Sequence, residues 1–178
     1  MLLGPLAFHW LTLDDFSRNV IAWRLCATMR AKDVTGTLEP ALEASGCDQP
    51  TVPHRPRPLS DNGSSYIAGD LAVWLEDQRM ERVRGAPKHP QKQGEIERWH
   101  QTLKNRILLE KQCLPGALEA AIGEFVDHCN HRRIHESLGN VTPADACLGR
   151  AHAILEERRR IKEQTIRRRR SLNQGAAA

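Results

Sequence analysis

The alternation of apolar and polar residues near the start of the chain predicts a β-hairpin. Residues 8–13 and 19–25 are short, partly apolar segments that each contain a tryptophan. Tryptophan and the β-branched residues beside it suit a pleated, buried surface. The polar stretch 14–18 lies between the two segments, so we expect them to pair as the strands of a hairpin.

The period then changes to that of a helix. Val34, Leu38 and Leu42 are spaced four residues apart and share one helical face. Gly36 and Pro40 lie inside this stripe. Because proline removes a helical hydrogen bond, the helix is predicted to be split or to begin late.

The rest of the chain alternates between short strands and helices, which indicates a mixed α/β fold. Strands are predicted near 57–60 and 80–84, helices at 67–79, 94–111, 116–130 and 152–170, and an N-cap with a first helical proline at Thr142-Pro143. We expect a core over residues 1–150 and a basic helical tail over residues 151–178, with a frayed end at 175–178.

Positive charge is concentrated in this tail. The 178 residues carry a net charge of +4, whereas residues 156–170 alone contain eight bases and three acids. The run Arg167–Arg170 could bind phosphate electrostatically. It could equally belong to a solvated helix with ion pairs such as Glu156 with Arg160. The sequence leaves both interpretations open.

The overall composition is that of a globular protein. The chain is 40% apolar and 27% charged, which excludes a wholly disordered chain. Residues 1–13 have neither the cationic start nor the cleavage site of a signal peptide and are too interrupted to span a membrane. Five cysteines without Cys-x-x-Cys spacing indicate a reducing compartment, so the cytoplasm is the expected location.

Two carboxylates are candidates for chemistry, each with a structural alternative. Asp61 follows a predicted strand, in a stretch that is also typical of a turn. Glu97 lies on the predicted helix 94–111, where a solvated surface carboxylate is the alternative. At about 100° per residue, Glu97, His100 and Lys104 share a face that borders the apolar stripe. Thirty-five residues separate Asp61 from Glu97.

Four stretches resemble the integrase-type catalytic core of bacterial insertion-sequence transposases. They are Leu13-Asp14-Asp15-Phe16-Ser17-Arg18 with Ile21-Ala22-Trp23, Ser60-Asp61-Asn62-Gly63-Ser64, residues 89–104 and residues 130–144. They follow the order of that family, which also includes retroviral integrases. The resemblance implies a ribonuclease H-like fold, in which a mixed sheet is flanked by helices.

The resemblance also implies a metal-dependent enzyme of DNA transposition. Asp61 and Glu97 match the second and third of three carboxylates that hold two Mg²⁺ (or Mn²⁺) ions in this family. Two metal ions activate the attacking hydroxyl or water and stabilise the leaving oxygen. The implied DNA-binding residues are Lys92, Arg98, His100 and Lys104. The implied partners are transposon ends, target DNA, and further copies of the chain or a full-length transposase.

The first catalytic aspartate of the family has no match. In the family it lies on the first strand, in a Trp-x-x-Asp-x-Thr context, whereas residues 1–13 contain no acid. Asp14 and Asp15 lie in the predicted turn, so we do not expect either to replace it. We therefore expect the chain to begin after the first core strand and to be catalytically impaired alone.

Other functions remain as alternatives. A non-catalytic fragment that binds DNA or a transposase is the main one. A ribonuclease H-like nuclease is disfavoured because the stretch 130–144 resembles transposases specifically. A zinc site is disfavoured because the spacing of its candidate ligands fits no standard pattern. Those ligands are His128, Cys129, His131 and His135.

Overall fold

The computed structural model describes residues 2–4, 7–49, 52, 55–60, 69–81, 83–84, 94–110 and 115–176. The chain divides into two compact units, Met1–Val126 and Asp127–Ala178. The boundary predicted between residues 150 and 151 lies within the second unit.

The first unit contains the strands and four of the helices. The strands are β1 (Leu2–Gly4), β2 (Ala7–Leu13), β3 (Val20–Cys26), β4 (Leu59–Ser60) and β5 (Val83–Arg84). The helices are α1 (Ala31–Ser45), α2 (Gly69–Asp77), α3 (Gly94–Glu110) and α4 (Pro115–His131), the last of which continues into the second unit. Strands β1, β2 and β3 form an antiparallel sheet in that order, and β4 pairs with β5 in parallel.

The predicted hairpin is confirmed as β2 and β3. Their register runs from Phe8 opposite Cys26 to Leu13 opposite Val20. The turn closes through the amide of Asp14, which donates to the carbonyl of Asn19 at 2.9 Å. The resemblance implies one mixed sheet. In the described residues, the antiparallel and the parallel strand pairs belong to two separate sheets. The short strand β1 precedes the first strand that the sequence predicts.

Helices cover both faces of the hairpin, because successive side chains of a strand point to opposite sides. Trp10 of β2 belongs to one apolar cluster and its neighbour Leu11 to another. The first cluster joins β2 and β3 to α1 and α2, through buried residues such as Val34 and Leu71. The second joins the hairpin to α3 and α4, where Leu103 and Ile122 are fully buried.

Helix α1 corrects the expectation of a split or late helix. It begins at Ala31, three residues before the predicted stripe, and runs without interruption through Pro40. Its start is fixed by Asp33, whose carboxylate accepts a hydrogen bond from the amide of Arg30 at 2.9 Å. Burial of Val34 and Leu42 in the core compensates for the hydrogen bond that proline removes.

The second unit is helical. It contains the end of α4, a 3-10 turn at Glu136–Leu138, α5 (Pro143–Cys147) and α6 (Ala151–Ala176). The predicted N-cap is confirmed, since the hydroxyl oxygen of Thr142 accepts a hydrogen bond from the amide of Asp145 at 3.2 Å. Helix α6 continues to Ala176, and the fraying expected near its end stays a prediction. None of the described helices is long and apolar enough to cross a membrane.

Candidate functional site

Helix α3 carries Glu97 and the basic residues that the sequence singles out. Leu103 is fully buried and anchors the helix, while Ile96 and Trp99 are partly buried on the same cluster. Glu97 and Arg98 are exposed, and His100 and Lys104 are half-buried. Within the described part of the chain, no ion pair or hydrogen bond engages Glu97.

Four aromatic rings meet beside this helix. The ring of His9, from β2, stacks on Trp99 with centroids 5.6 Å apart and on Trp23 with centroids 5.9 Å apart. His100 meets His9 edge to face at 5.7 Å. His9 is 1% exposed. The cluster thus fixes the start of α3 against β2 and β3.

This packing keeps both histidines neutral. Burial lowers the pKa of His9 from 6.5 to about 3, and the nearby His100 lowers it further in the same sense. Burial also lowers the pKa of His100 to about 4, with a contribution from the charge of Lys104. At neutral pH, His100 therefore adds no positive charge to this stretch of the helix, whose bases are Arg98 and Lys104.

A cavity of about 370 Å³ lies between the hairpin, α1, α2 and the segment that leads into β4. Its wall includes Leu59, two residues before Asp61, and Ile96, one residue before Glu97. Asp14 and Asp15 also line it. The cavity therefore brings together chain segments that lie directly before both candidate carboxylates.

The two turn aspartates are engaged within their own turn. The carboxylate of Asp14 accepts hydrogen bonds from the amide of Ser17, at 2.8 Å, and from the Ser17 hydroxyl. Asp15 forms an ion pair with Arg18 at 3.0 Å, and its side chain is 88% exposed. These contacts show that both carboxylates stabilise the turn of the hairpin.

Two of the predicted site residues, Asp61 and Lys92, lie outside the described residues. The others, Glu97, Arg98, His100 and Lys104, lie on α3 as the sequence predicts. His9 is not among the residues that the sequence singles out, and its ring partners Trp99 and His100 lie about ninety positions away along the chain. A buried histidine on an apolar strand, next to a tryptophan, is the only local signal that could have drawn attention to it.

The histidine-rich segment of the second unit forms no metal centre in the described residues, where no three His, Cys, Asp or Glu side chains are placed to hold an ion. Cys129 is buried, and burial raises the pKa of its thiol. His135 bonds through Nδ1 to the hydroxyl of Ser137 at 2.9 Å.

Known proteins of two kinds are similar in sequence. The Pol polyprotein of equine infectious anemia virus (strain Wyoming) is 30% identical over 99 residues, which is 56% of this chain but only 8% of the polyprotein. An uncharacterized protein of insertion element IS136 from Agrobacterium fabrum is 29% identical over 74% of this chain and 68% of its own length. The transposase for insertion sequence element IS629 from Shigella sonnei is 29% identical over 75% of this chain and 44% of its own length.

Solved structures share the fold. The catalytic core domain of BIV integrase has a TM-score of 0.60 and 24% identity, over 84% of this chain and 90% of that one. The catalytic core domain of HTLV-2 integrase, solved in complex with magnesium in a trimeric form, has a TM-score of 0.58 and 16% identity, over 79% of this chain and 90% of that one. These similarities confirm the α/β, ribonuclease H-like fold.

Two family profiles, both described as "Integrase core domain", match residues 9–90 and 78–143. Together they cover the hairpin, the cavity-lining segments, α3 and the stretch 130–143. The relatives of the chain include insertion-element proteins and a retroviral polyprotein. The chain belongs to the family of integrase core domains.

Proposed function

We propose that the chain is the core of an insertion-sequence transposase, which cleaves DNA and joins the freed end to a target. Asp61 and Glu97 are the proposed metal ligands and catalytic carboxylates. Lys92, Arg98, His100 and Lys104 are the proposed DNA-binding residues. The proposed substrates are the transposon ends and the target DNA.

One observation supports this assignment above the others. The segments that lead into Asp61 and Glu97, represented by Leu59 and Ile96, line one cavity although they are far apart in sequence. Two carboxylates that follow these segments can act on a shared ligand. Two unrelated surface acids would not be expected to follow segments that line the same cavity.

The donor set fits a hard divalent cation. Glu97 is exposed, and no described group neutralises its charge. Carboxylate oxygens are the ligands that Mg²⁺ prefers, and a relative of the same fold was solved with magnesium. When bound, Mg²⁺ supplies activation of the attacking oxygen and stabilisation of the leaving oxygen.

The chain's own residues then bind and orient the DNA. Lys104 carries a positive charge on the face of α3 that His100 shares, and it attracts a backbone phosphate. His100 is neutral because burial lowers its pKa to about 4, so its proposed contribution is a hydrogen bond rather than charge. The ring cluster around His9 holds this stretch of helix in place.

The number of assigned metal ligands bears on the cleavage activity of the chain. Because only two carboxylates are assigned, we propose that residues 1–178 alone cleave DNA slowly. A homo-oligomer or a complex with a full-length transposase is the proposed active form, as the trimeric form of the HTLV-2 core suggests. Free thiols are found at the four described cysteines, Cys26, Cys47, Cys129 and Cys147. They support the proposal that the protein is located in the reducing cytoplasm.

The test measures metal binding and DNA cleavage on the same samples. Mn²⁺ binding is followed by electron paramagnetic resonance, and Mg²⁺-dependent nicking by gel analysis of a labelled duplex that carries an insertion-sequence end. Glu97→Gln is expected to weaken Mn²⁺ binding at least tenfold and to remove any metal-dependent nicking. Glu124→Gln is the matched control, because Glu124 is an exposed helical acid outside the cavity lining.

Equal Mn²⁺ affinity in the Glu97→Gln variant and the unchanged protein would overturn the metal assignment. DNA binding that persists without metal, together with no nicking in any sample, would favour the alternative of a non-catalytic DNA-binding fragment.

A further inference from the structure

Among the described residues, helix α6 is anchored through its first two turns. The side chain of Leu155 lies 3.3 Å from the position that a Cβ on Gly139 would occupy, so it packs directly on that glycine. Nη1 of Arg158 donates to the carbonyl of Asn140 at 2.9 Å. Beyond Arg158 every side chain whose exposure is described is exposed, including Ile161 and Leu172. Residues 159–174 of the helix are therefore exposed in the described part of this unit.

Charge is divided along this helix. In its first half, Glu156 lies 3.9 Å from Arg159, and Glu157 lies 2.8 Å from Arg160. Ion pairs of the kind that the sequence left open therefore occur in this half of the helix, but Glu156 contacts Arg159 rather than Arg160. In the second half, the block Arg167–Arg170 has no ion pair among the described residues. Glu163 is the only acid within four residues of it.

The structural reasons for placing arginines in a helix do not account for this block. Bases stabilise a helix through its dipole only within the last turn, and the last turn of α6 contains none. Ion pairs with acids one turn away stabilise exposed helices, yet such acids are nearly absent here. A block of four like charges is unfavourable in the isolated protein, which points to an anionic partner.

The distribution of the four side chains around the helix identifies the shape of that partner. At about 100° per residue, four consecutive arginines cover about 300° of the circumference. Every side of the helix is then within about 50° of an arginine. A flat anionic surface contacts one side only, and a second α6 helix would place like charges against each other. A groove with phosphates on both walls satisfies all four arginines.

The major groove of B-form DNA has these dimensions. It is about 12 Å wide and admits a helix, whose diameter with side chains is about 10–12 Å. The major groove of A-form RNA is too deep and narrow for this. The block lies about 14 Å along the helix from Arg158, far enough from the anchor to enter a groove.

We propose that the second half of α6 lies in the major groove of duplex DNA, with Arg167–Arg170 contacting phosphates of both strands. This proposal rests on the proposed function only for the presence of DNA as a partner. The binding site on α6 is separate from the cavity and from α3.

Fluorescence anisotropy with a labelled 20-base-pair DNA duplex, over 50–200 mM salt, tests the site. Each phosphate contact contributes about 0.9 to the slope of log affinity against log salt. The double variant Arg169→Gln/Arg170→Gln is expected to lower the slope by about 1.8. The matched control Arg159→Gln/Arg160→Gln removes the same charge from arginines that already have glutamate partners, and its slope is expected to change by less than about 0.5. Equal losses in both variants would overturn the site.

Single variants test the groove. Arg167 and Arg169 point about 160° apart around the helix, so Arg167→Gln and Arg169→Gln should each lower the slope by about 0.9. A loss in only one of them would mean one-sided contact and would overturn the groove. Circular dichroism checks helicity, which glutamine preserves as well as arginine does.

Alternative partners are tested with the same unchanged protein. A 20-base-pair RNA duplex, a 20-nucleotide DNA strand and phosphatidylserine vesicles, each at equal phosphate concentration, should bind at least tenfold more weakly than the DNA duplex. Equal or tighter binding of any of them would overturn the choice of duplex DNA. Glu97→Gln should keep the full slope, so a failure of the metal-site proposal and a failure of this one give different results.

Discussion

The ring cluster around His9 predicts that the fold loses stability in mild acid. Burial lowers the pKa of His9 to about 3 and that of His100 to about 4, from 6.5 for both. The folded state therefore holds both rings neutral, whereas the unfolded chain protonates them as pH falls through 6.5. Since the unfolded state binds more protons, stability declines below about pH 6.5 and continues to decline until the folded-state pKa values are reached.

The size of the effect follows from the pKa difference. Between pH 6.5 and 5 each histidine lowers the free energy of unfolding by about 1.6 kcal/mol, because one pH unit corresponds to about 1.36 kcal/mol for a fully bound proton and the unfolded histidine is half protonated at pH 6.5. The two together lower it by about 3 kcal/mol, against a total of about 5–15 kcal/mol for a typical domain. The acid transition of ordinary carboxylates lies lower, so the window from pH 6.5 to 5 isolates the histidines.

Urea unfolding followed by tryptophan fluorescence at pH 7.5, 6.5, 5.5 and 5 measures this loss. His9→Phe keeps an aromatic ring in the stack and is expected to remove about half of the pH dependence. His152→Gln is the control, because the side chain of His152 is 84% exposed and lies outside the cluster. A free energy of unfolding that stays constant within about 1 kcal/mol from pH 7.5 to 5 would refute the reasoning.

Three further substitutions test the packing and the caps, each by urea or thermal unfolding. Leu103→Ala should cost about 2–5 kcal/mol, because the side chain is fully buried between the hairpin and α4. Thr142→Ala should cost about 1 kcal/mol, since it removes the cap of α5. Gly139→Ala should cost about 1–2 kcal/mol, because φ is 74° and the new methyl group meets Leu155 at 3.3 Å.

Matched substitutions separate these mechanisms from general damage. Val73→Ala, at a side chain that is 60% exposed, should change stability by less than about 0.5 kcal/mol. Gly116→Ala places a methyl group in open space within α4 and should be neutral or stabilising. A loss for either control as large as for its buried or strained counterpart would contradict the assigned causes.

Local periodicity predicted most of the helices, because their buried faces repeat within the same segment. At α1 the periodicity indicated the helix correctly, but Pro40 predicted a break that does not occur, because Val34 and Leu42 are held by strands and by α2. The strand β1 has only three residues, too few to show a pattern. Such elements are decided by tertiary contacts rather than by local preference.

The candidate site shows the same division. One helix carries Glu97, His100 and Lys104, so their common face could be predicted from the spacing alone. The contact of His9 with Trp99 and His100 joins residues about ninety positions apart, and no local rule predicts it. His100 is neutral because this packing buries it, so its protonation state could not be predicted from the sequence either.

The charge pattern of α6 also governs how the protein behaves during purification. The formal net charge of +4 equals the charge of Arg167–Arg170, and these exposed arginines are natural sites for trypsin-like proteases. A preparation clipped after Arg167 would keep a formal net charge of only +1 and would be retained less on a cation exchanger, while the unit Met1–Val126 would stay whole. Elution position therefore reports the integrity of this helix before any DNA-binding measurement is made.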